Sequence, residues 1–317
     1  MTYAHGLQEV ADGVFAYLQP DGTWGWSNAG LVAGDGGSLL VDTLFDLHLT
    51  QRMLDDMRPV TGAQPITNLV NTHANGDHCY GNQLVAGDGV DIVSSTRAAA
   101  EMEEVTAATL HGMVTADLGE ELSSYIRRIF GPFDFTGIDV APPTRTFDGA
   151  LEVQVGDRTV ELLEVGPAHT AGDVIAWAPD ARVVFGGDIL FIGGTPIVWA
   201  GPVSNWVAAL ERILALDPAV IVPGHGPLAE RSDLEALADY FRLVDREAGA
   251  RADAGMDVVD ATREVDRLID DSPYAAWTDR ERICINVDAV YREHDPARPA
   301  TNVLELFGRM AAYDGHR

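Results

Sequence analysis

Eight consecutive residues, Asn71-Thr72-His73-Ala74-Asn75-Gly76-Asp77-His78, place two imidazoles, a carboxylate and two amides in one short segment. They follow residues 66–70, an apolar run rich in β-branched side chains that predicts a buried strand. Side chains at 73, 75 and 77, leaving the end of such a strand, converge on one point, and His78 turns toward a neighbouring one. Imidazole nitrogen and carboxylate oxygen are donors that zinc and iron take. For this segment alone, a polar loop whose histidines cap the following helix is the competing reading.

The other candidate donors follow strands in the second half. His169 sits in Gly166-Pro167-Ala168-His169-Thr170, Asp188 closes Gly186-Gly187-Asp188, and His225 lies in Pro223-Gly224-His225-Gly226. Glycine at these points lets the chain turn sharply and approach a small ion. Cys79 and Cys284 are the only cysteines, so there is no disulfide framework and no Cys-rich zinc cluster; any metal is held mainly by His and Asp. Cys79, beside His78, reads as a small buried residue rather than a nucleophile. His5, His48, His111, His294 and His316 have no motif around them and are expected at the surface or at caps.

Short apolar runs and turns alternate over 14–18, 29–33 and 38–41, then a helix over 47–57, then strands over 66–70 and 91–94. The pattern resumes after 147 with strands over 151–155, 159–165, 174–178 and 182–185, a helix over 206–216 and a strand over 220–222. Two such sheets, each with helices on one face, predict an α/β four-layer αββα sandwich over residues 1–228. Residues 96–147 read as a helical cap insertion, helical over 96–125 and amphipathic over 118–130. Residues 229–317 read as a helical C-terminal extension, in which Leu234, Leu237, Tyr240, Phe241 and Val244 recur at helix spacing as core positions.

The 49 acidic residues outnumber 21 basic ones, all arginine, for a net charge of −28. Such a surface repels phosphate backbones and anionic lipid, so neither nucleic acid nor membrane is an expected partner. A small-molecule substrate is expected, with a homo-oligomer allowed. Without lysine there is no lysine Schiff-base chemistry. No apolar run reaches membrane-spanning length and the N-terminus lacks signal-peptide character, so a cytoplasmic protein is expected.

In order, strand-end placement and flanking glycines, the 73–78 loop, His169, Asp188 and His225 resemble the metallo-β-lactamase superfamily over roughly residues 10–228. The resemblance implies two mixed sheets in an αββα fold. It implies one ion on His73, Asn75 and His169, another on Asp77, His78 and His225, and Asp188 bridging them. Asn75 stands where the family has its second His. A neutral amide is the poorer donor, so the first site is expected to be the weaker. Asp42 resembles the family's early Asp motif and, with Thr72 and Thr170, is expected to support the ligands from behind. The implied cofactor is zinc, one or two ions, with iron or manganese as alternatives.

The implied reaction is attack of a metal-bound hydroxide on the carbonyl of an ester, thioester, lactone or lactam, with Asp77, His78 and Asp188 as catalytic residues. A finer similarity to lactamase-like cyclases of aromatic polyketide pathways rests on Trp24-Gly25-Trp26-Ser27-Asn28-Ala29-Gly30, on residues 165–170 and on residues 312–315. It implies ring closure on a β-polyketone, or release from its thioester, as an alternative. It also fits a substrate pocket of Trp24, Trp26, Asn28, Tyr80, Phe191 and Trp199 for a planar apolar molecule. An iron-dependent redox member or a non-catalytic metal binder are the remaining alternatives. The redox branch has a carboxylate at the Asn75 position and usually a flavin module, for which the C-terminal tail is short.

Overall fold

The first 147 residues supply a seven-stranded sheet in chain order: β1 Gly6–Ala11, β2 Val14–Leu18, β3 Ala29–Gly34, β4 Gly37–Val41, β5 Ile66–Val70, β6 Asp91–Ser95 and β7 Arg145–Phe147. β1 to β4 run antiparallel and β4 to β7 parallel. A second sheet, ordered β12-β11-β10-β9-β8, comes from β8 Ala150–Val155, β9 Arg158–Glu164, β10 Val174–Ala178, β11 Val183–Phe185 and β12 Val220–Val222. Only β11 and β12 pair in parallel there. The computed structural model describes residues 3–102, 104, 106–299 and 301–315.

Strand alternation builds the layers. Leu39 and Val41 face inward with Val14, Ala16 and Val93 and meet Val153, Val160, Val174 and Phe185 of the second sheet. Leu31, Leu40 and Leu69 face outward onto Met53 and Met57 of α1 Leu47–Thr61. On the far side, Ile175, Trp177 and Val184 share a core with Trp206 and Leu210 of α6 Val203–Ala215 and with Leu237 and Phe241 of α7 Arg231–Asp253. The order helix, sheet, sheet, helix is the αββα sandwich.

The 96–147 segment is not one continuous helix at its start. It breaks into α3 Thr96–Glu101, α4 Ala107–Thr115 and α5 Glu120–Phe130, with extended Ala116 and left-handed Gly119 interrupting the run. It then returns as β7 to the edge of the first sheet. β1 and β7 were not expected as strands: β1 is half-buried along its length, and two of the three β7 residues are exposed, so neither shows alternation. The helices α8 Val258–Asp270, α9 Ile283–His294 and α10 Val303–Asp314 complete the chain. Phe307 and Met310 of α10 and Ile283 and Val287 of α9 lie in one core with Tyr125, Ile126 and Phe130 of α5. Among the described residues no helix is long and apolar enough to cross a membrane.

Candidate metal centre

Every donor leaves the end of a strand. β5 runs into His73, and the single turn α2 Gly76–Cys79, preceded by Asn75, carries Asp77 and His78. His169 lies between β9 and β10, Asp188 just past β11 and His225 just past β12. Parallel pairing of Phe185 with Val222 sets the turns that follow side by side. A Cβ on Gly224 would stand 2.1 Å from Asp188 Oδ1, so only glycine allows that approach.

Asp188 is the hub of the cluster. Its Oδ2 stands 3.3 Å from His169 Nε2, 3.4 Å from His225 Nε2 and 3.7 Å from His73 Nε2, and its Oδ1 stands 3.1 Å from His78 Nε2. Asp77 Oδ2 is 3.3 Å from His225 Nε2 and 3.9 Å from His78 Nε2. Among the described residues two groups have the spacing to hold an ion: His73, His169 and Asp188, and Asp77, His78 and His225. Donors each about 2.1 Å from one tetrahedral ion stand roughly 3.4 Å apart, close to these separations. Among the described residues, His73 Nε2, His78 Nε2 and Asp188 Oδ1 are buried and have no hydrogen-bond partner. Leaving such atoms bare is costly, and a cation among their lone pairs removes the cost. The donor set therefore fits one or two divalent ions.

The rear nitrogens of three imidazoles explain why their Nε2 atoms face the hub. The Asp42 carboxylate accepts from Thr72 N–H at 2.7 Å, from Thr72 Oγ1 at 2.7 Å and from His78 Nδ1 at 2.9 Å. Asp42 takes φ +62 to do so, a left-handed conformation that aspartate tolerates. With its proton given to Asp42, Thr72 Oγ1 accepts from His73 Nδ1 at 3.0 Å. His169 Nδ1 donates to the Ile197 carbonyl at 2.7 Å. Each of these bonds puts a proton on Nδ1 and directs Nε2 inward. His225 differs. Its Nδ1 has no hydrogen-bond partner among the described residues, and its ring stacks on Phe191 at 5.0 Å and 3°.

Asn75 Oδ1 lies 2.8 Å from His169 Nε2. Because His169 carries its proton on Nδ1, a hydrogen bond here requires the amide to turn its N–H toward the ring. Asn75 thus caps a lone pair that an ion in the first group needs. The N–H and hydroxyl of Thr170 bind Asp173 and close the turn after His169.

Charge divides the two groups. Burial holds His73 and His169 below the usual imidazole range, so both are neutral at pH 7. Burial also opposes charge on His78 and His225, but Asp188 and Asp77 outweigh it for both, with Asp42 adding to the effect at His78. His225 is raised to about 9 and His78 also moves up. Burial opposes the Asp77 and Asp188 carboxylates as well, yet His78 and His225 hold both below the ordinary range.

The expected pocket residues are held by different partners. Asn28 is buried and acts as a clamp: its amide donates to the Pro223 and Gly226 carbonyls at 2.9 Å and accepts from Gln19 N–H, gripping the turn that carries His225. Tyr80 packs against Phe45 and Phe135. Trp24 lies against Phe130 and Phe307, Trp199 against Phe307 and Trp26 against Phe133. Trp26 also lines a cavity of about 690 Å³ with His48, Arg52 and Phe133, which none of the donors lines. Cys79 is buried, donates to the Ala74 carbonyl and has its thiol pKa pushed up by burial. His5, His48, His111 and His294 are exposed, and His316 lies outside the described residues. Sequence reading missed Arg282 and Asn286, both fully buried behind the centre. The available cue was their i, i+4 spacing on the face of α9 and the turn before it that also carries Ile283, Val287 and Val290.

The model of the metallo-beta-lactamase superfamily matches residues 22–225, ending on the last donor. The chain belongs to that superfamily. It is 25% identical over 295 residues to the 2,4-dinitroanisole O-demethylase subunit alpha of Nocardioides sp. (strain JS1661), covering 88% of this chain and 74% of that one. It is 25% identical to a linear primary-alkylsulfatase of Pseudomonas sp. (strain ATCC 19151), covering 67% of this chain and 44% of the other. A hydroxyacylglutathione hydrolase of Methylococcus capsulatus is 29% identical over 47% of this chain and 43% of its own. The sec-alkylsulfatase Pisa1 from Pseudomonas sp. shares the fold with a TM-score of 0.68 over 93% of this chain and 52% of its own, at 17% identity. A metallo-beta-lactamase from Pontibacter korlensis does so with a TM-score of 0.56 over 74% and 99%, at 20% identity. Hydrolases of the superfamily are thus homologues of this chain.

Proposed function

We propose that this protein is a metal-dependent hydrolase of a small aromatic or apolar molecule with an activated bond to oxygen. The observation that carries the reading is the convergence of four buried imidazoles on Asp188, three of them with Nε2 turned inward by a bond at the rear nitrogen. His73, His169 and Asp188, with Asn75, would hold one ion; Asp77, His78 and His225, with Asp188, would hold the other. Zinc suits these donors, and iron or manganese are the alternatives. A divalent ion there supplies Lewis acidity and a nucleophile from water at neutral pH.

The side chain of Asp77 is 13% exposed, against at most 4% for the histidines and Asp188. Where it does not itself bind the ion tightly, Asp77 would orient water and pass a proton to the leaving group. Ser27 donates to the Asp77 carbonyl and Trp199 N–H binds the His169 carbonyl, so half-buried Trp26 and Trp199 adjoin the donor loops. Their rings suit stacking on a planar substrate. Attack on a carbonyl is one member of a wider set. One relative, matched over 88% of this chain, is named for an aromatic methyl ether and another for alkyl sulfates, which supports including activated ether and sulfate bonds.

The test uses nitrophenyl acetate, nitrophenyl sulfate and 2,4-dinitroanisole, assayed after chelation and after return of Zn²⁺, Mn²⁺ or Fe²⁺. Nitrophenolate release from at least one substrate, lost on chelation and restored by an ion, is expected. Protein with measured ion content that releases none of them overturns the reading. Closure of a polyketone without water consumption would favour the cyclase instead.

A further inference from the structure

The loop at residues 191–198 touches both ligand groups: Phe191 stacks on His225, and the Ile197 carbonyl holds His169. That loop is stitched along its length to residues 278–286. Thr278 N–H binds the Gly193 carbonyl at 3.1 Å and Thr195 N–H binds the Thr278 carbonyl at 2.9 Å. Arg282 Nη1 donates to the Thr195 carbonyl at 2.9 Å. Asn286 donates to the Pro196 carbonyl and accepts from Val198 N–H, both at 2.9 Å, so it grips the chain on either side of Ile197. Tyr240 Oη, 2.9 Å away, holds the same amide from behind.

Arg282 has a second role in this frame. Its guanidinium lies 4.4 Å from the Trp24 ring centre and 5.3 Å from that of Phe191, and it is paired with Asp279 at 3.2 Å. A cation between two aromatic rings fixes both. Phe191 in turn stacks on the one imidazole whose rear nitrogen has no hydrogen-bond partner, so stacking replaces the usual bond as the restraint on its orientation.

We propose that Arg282 and Asn286, which lie beyond the residues matched by the family model, are positioning residues for the metal centre: Arg282 sets the His225 ring through Phe191, and Asn286 sets the His169 ring through the Ile197 carbonyl. The proposal rests on the metal-centre reading above. It predicts crossed effects. Loss of Arg282 weakens the Asp77, His78 and His225 group, and loss of Asn286 weakens the His73, His169 and Asp188 group.

The test titrates metal-free full-length protein with Co²⁺, following the visible bands and competition with a chromophoric chelator. His225→Ala and His169→Ala assign the signals. Arg282→Met combined with Asp279→Asn removes both charges of the buried pair, and Phe191→Leu reads the same arm with the pair intact. Asn286→Asp reads the other arm. Each variant is expected to lose about 10-fold or more in affinity at its own group, the scale seen for outer partners of metal ligands. The other group is expected to be unchanged, with a native far-UV spectrum. Variants that fold but weaken both groups equally, or neither, overturn the positioning roles. Wild-type protein that takes up no ion overturns these roles together with the proposed function, whereas two ions bound alike by wild type and variants overturn the positioning alone.

Discussion

The two halves of the metal centre share Asp188 but are built on opposite electrostatic plans. The group of His73, His169 and Asp188 has imidazoles kept neutral by burial, and Asn75 adds an amide. The group of Asp77, His78 and His225 has imidazoles whose proton affinity is raised by carboxylates. The raised proton affinity of His78 and His225 makes a proton the competitor of any ion in the second group. An ion entering the second group must displace it, whereas one entering the first must displace only the Asn75 cap. On this contrast, ion uptake by the second group is expected to be the more pH-sensitive and that by the first the less so.

Asp188→Ala is the harshest way to break this contrast, because it removes the carboxylate that all four imidazoles approach. Both groups should lose their ions, and turnover should fall by more than the roughly 100-fold that marks the upper end for an outer partner. Metal analysis after dialysis checks the first outcome and the chromogenic panel the second. If one ion survives with wild-type affinity, the hub description fails.

Next in size is a pH effect that separates the groups. His225 binds its proton more tightly folded, with a pKa near 9, than unfolded, where it is about 6.5, so the folded state carries more protons across that interval. Its contribution is fully present below about pH 6.5 and is lost as pH rises through about 9, on the order of 3 kcal/mol. Urea unfolding of chelated protein at pH 6.5 and pH 9.5 should show that loss. Ion affinity of the second group should climb over the same range while that of the first stays flat. Equal pH dependence in the two groups would remove the distinction.

Much of this centre was readable in the sequence because each donor sits in a glycine-containing segment that follows a strand, and His73, Asp77, His78, His169, Asp188 and His225 do converge. Local pattern carries that information. The aromatic surroundings depended on partners far along the chain: Phe307 lies against Trp24 and Trp199, and Phe135 against Tyr80, contacts that no window of sequence contains. Asn28 looked like a pocket residue and proved to be a backbone clamp, since only the folded chain brings residues 223–226 to it. Arg282 hid for a different reason. Charged residues in helical stretches usually face water, and its burial depends on two aromatic rings and Asp279. The strands β1 and β7 escaped notice because half-exposed edges carry little alternation.

Asp42→Asn should weaken the second group by about 10- to 100-fold, because the amide keeps an acceptor for Thr72 N–H but no longer offers His78 a carboxylate. The first group should feel it less, through Thr72 and His73. Asn75→His gives the smallest shift and the opposite sign. It replaces an amide that caps His169 with an imidazole donor, and the first group should gain on the order of 10-fold in affinity with little change in the second. Titration of both variants with Zn²⁺ against a competing chelator decides the matter. If Asn75→His leaves the first group as weak as before, the amide is not what separates the two halves, and their difference lies wholly in the carboxylates around His78 and His225.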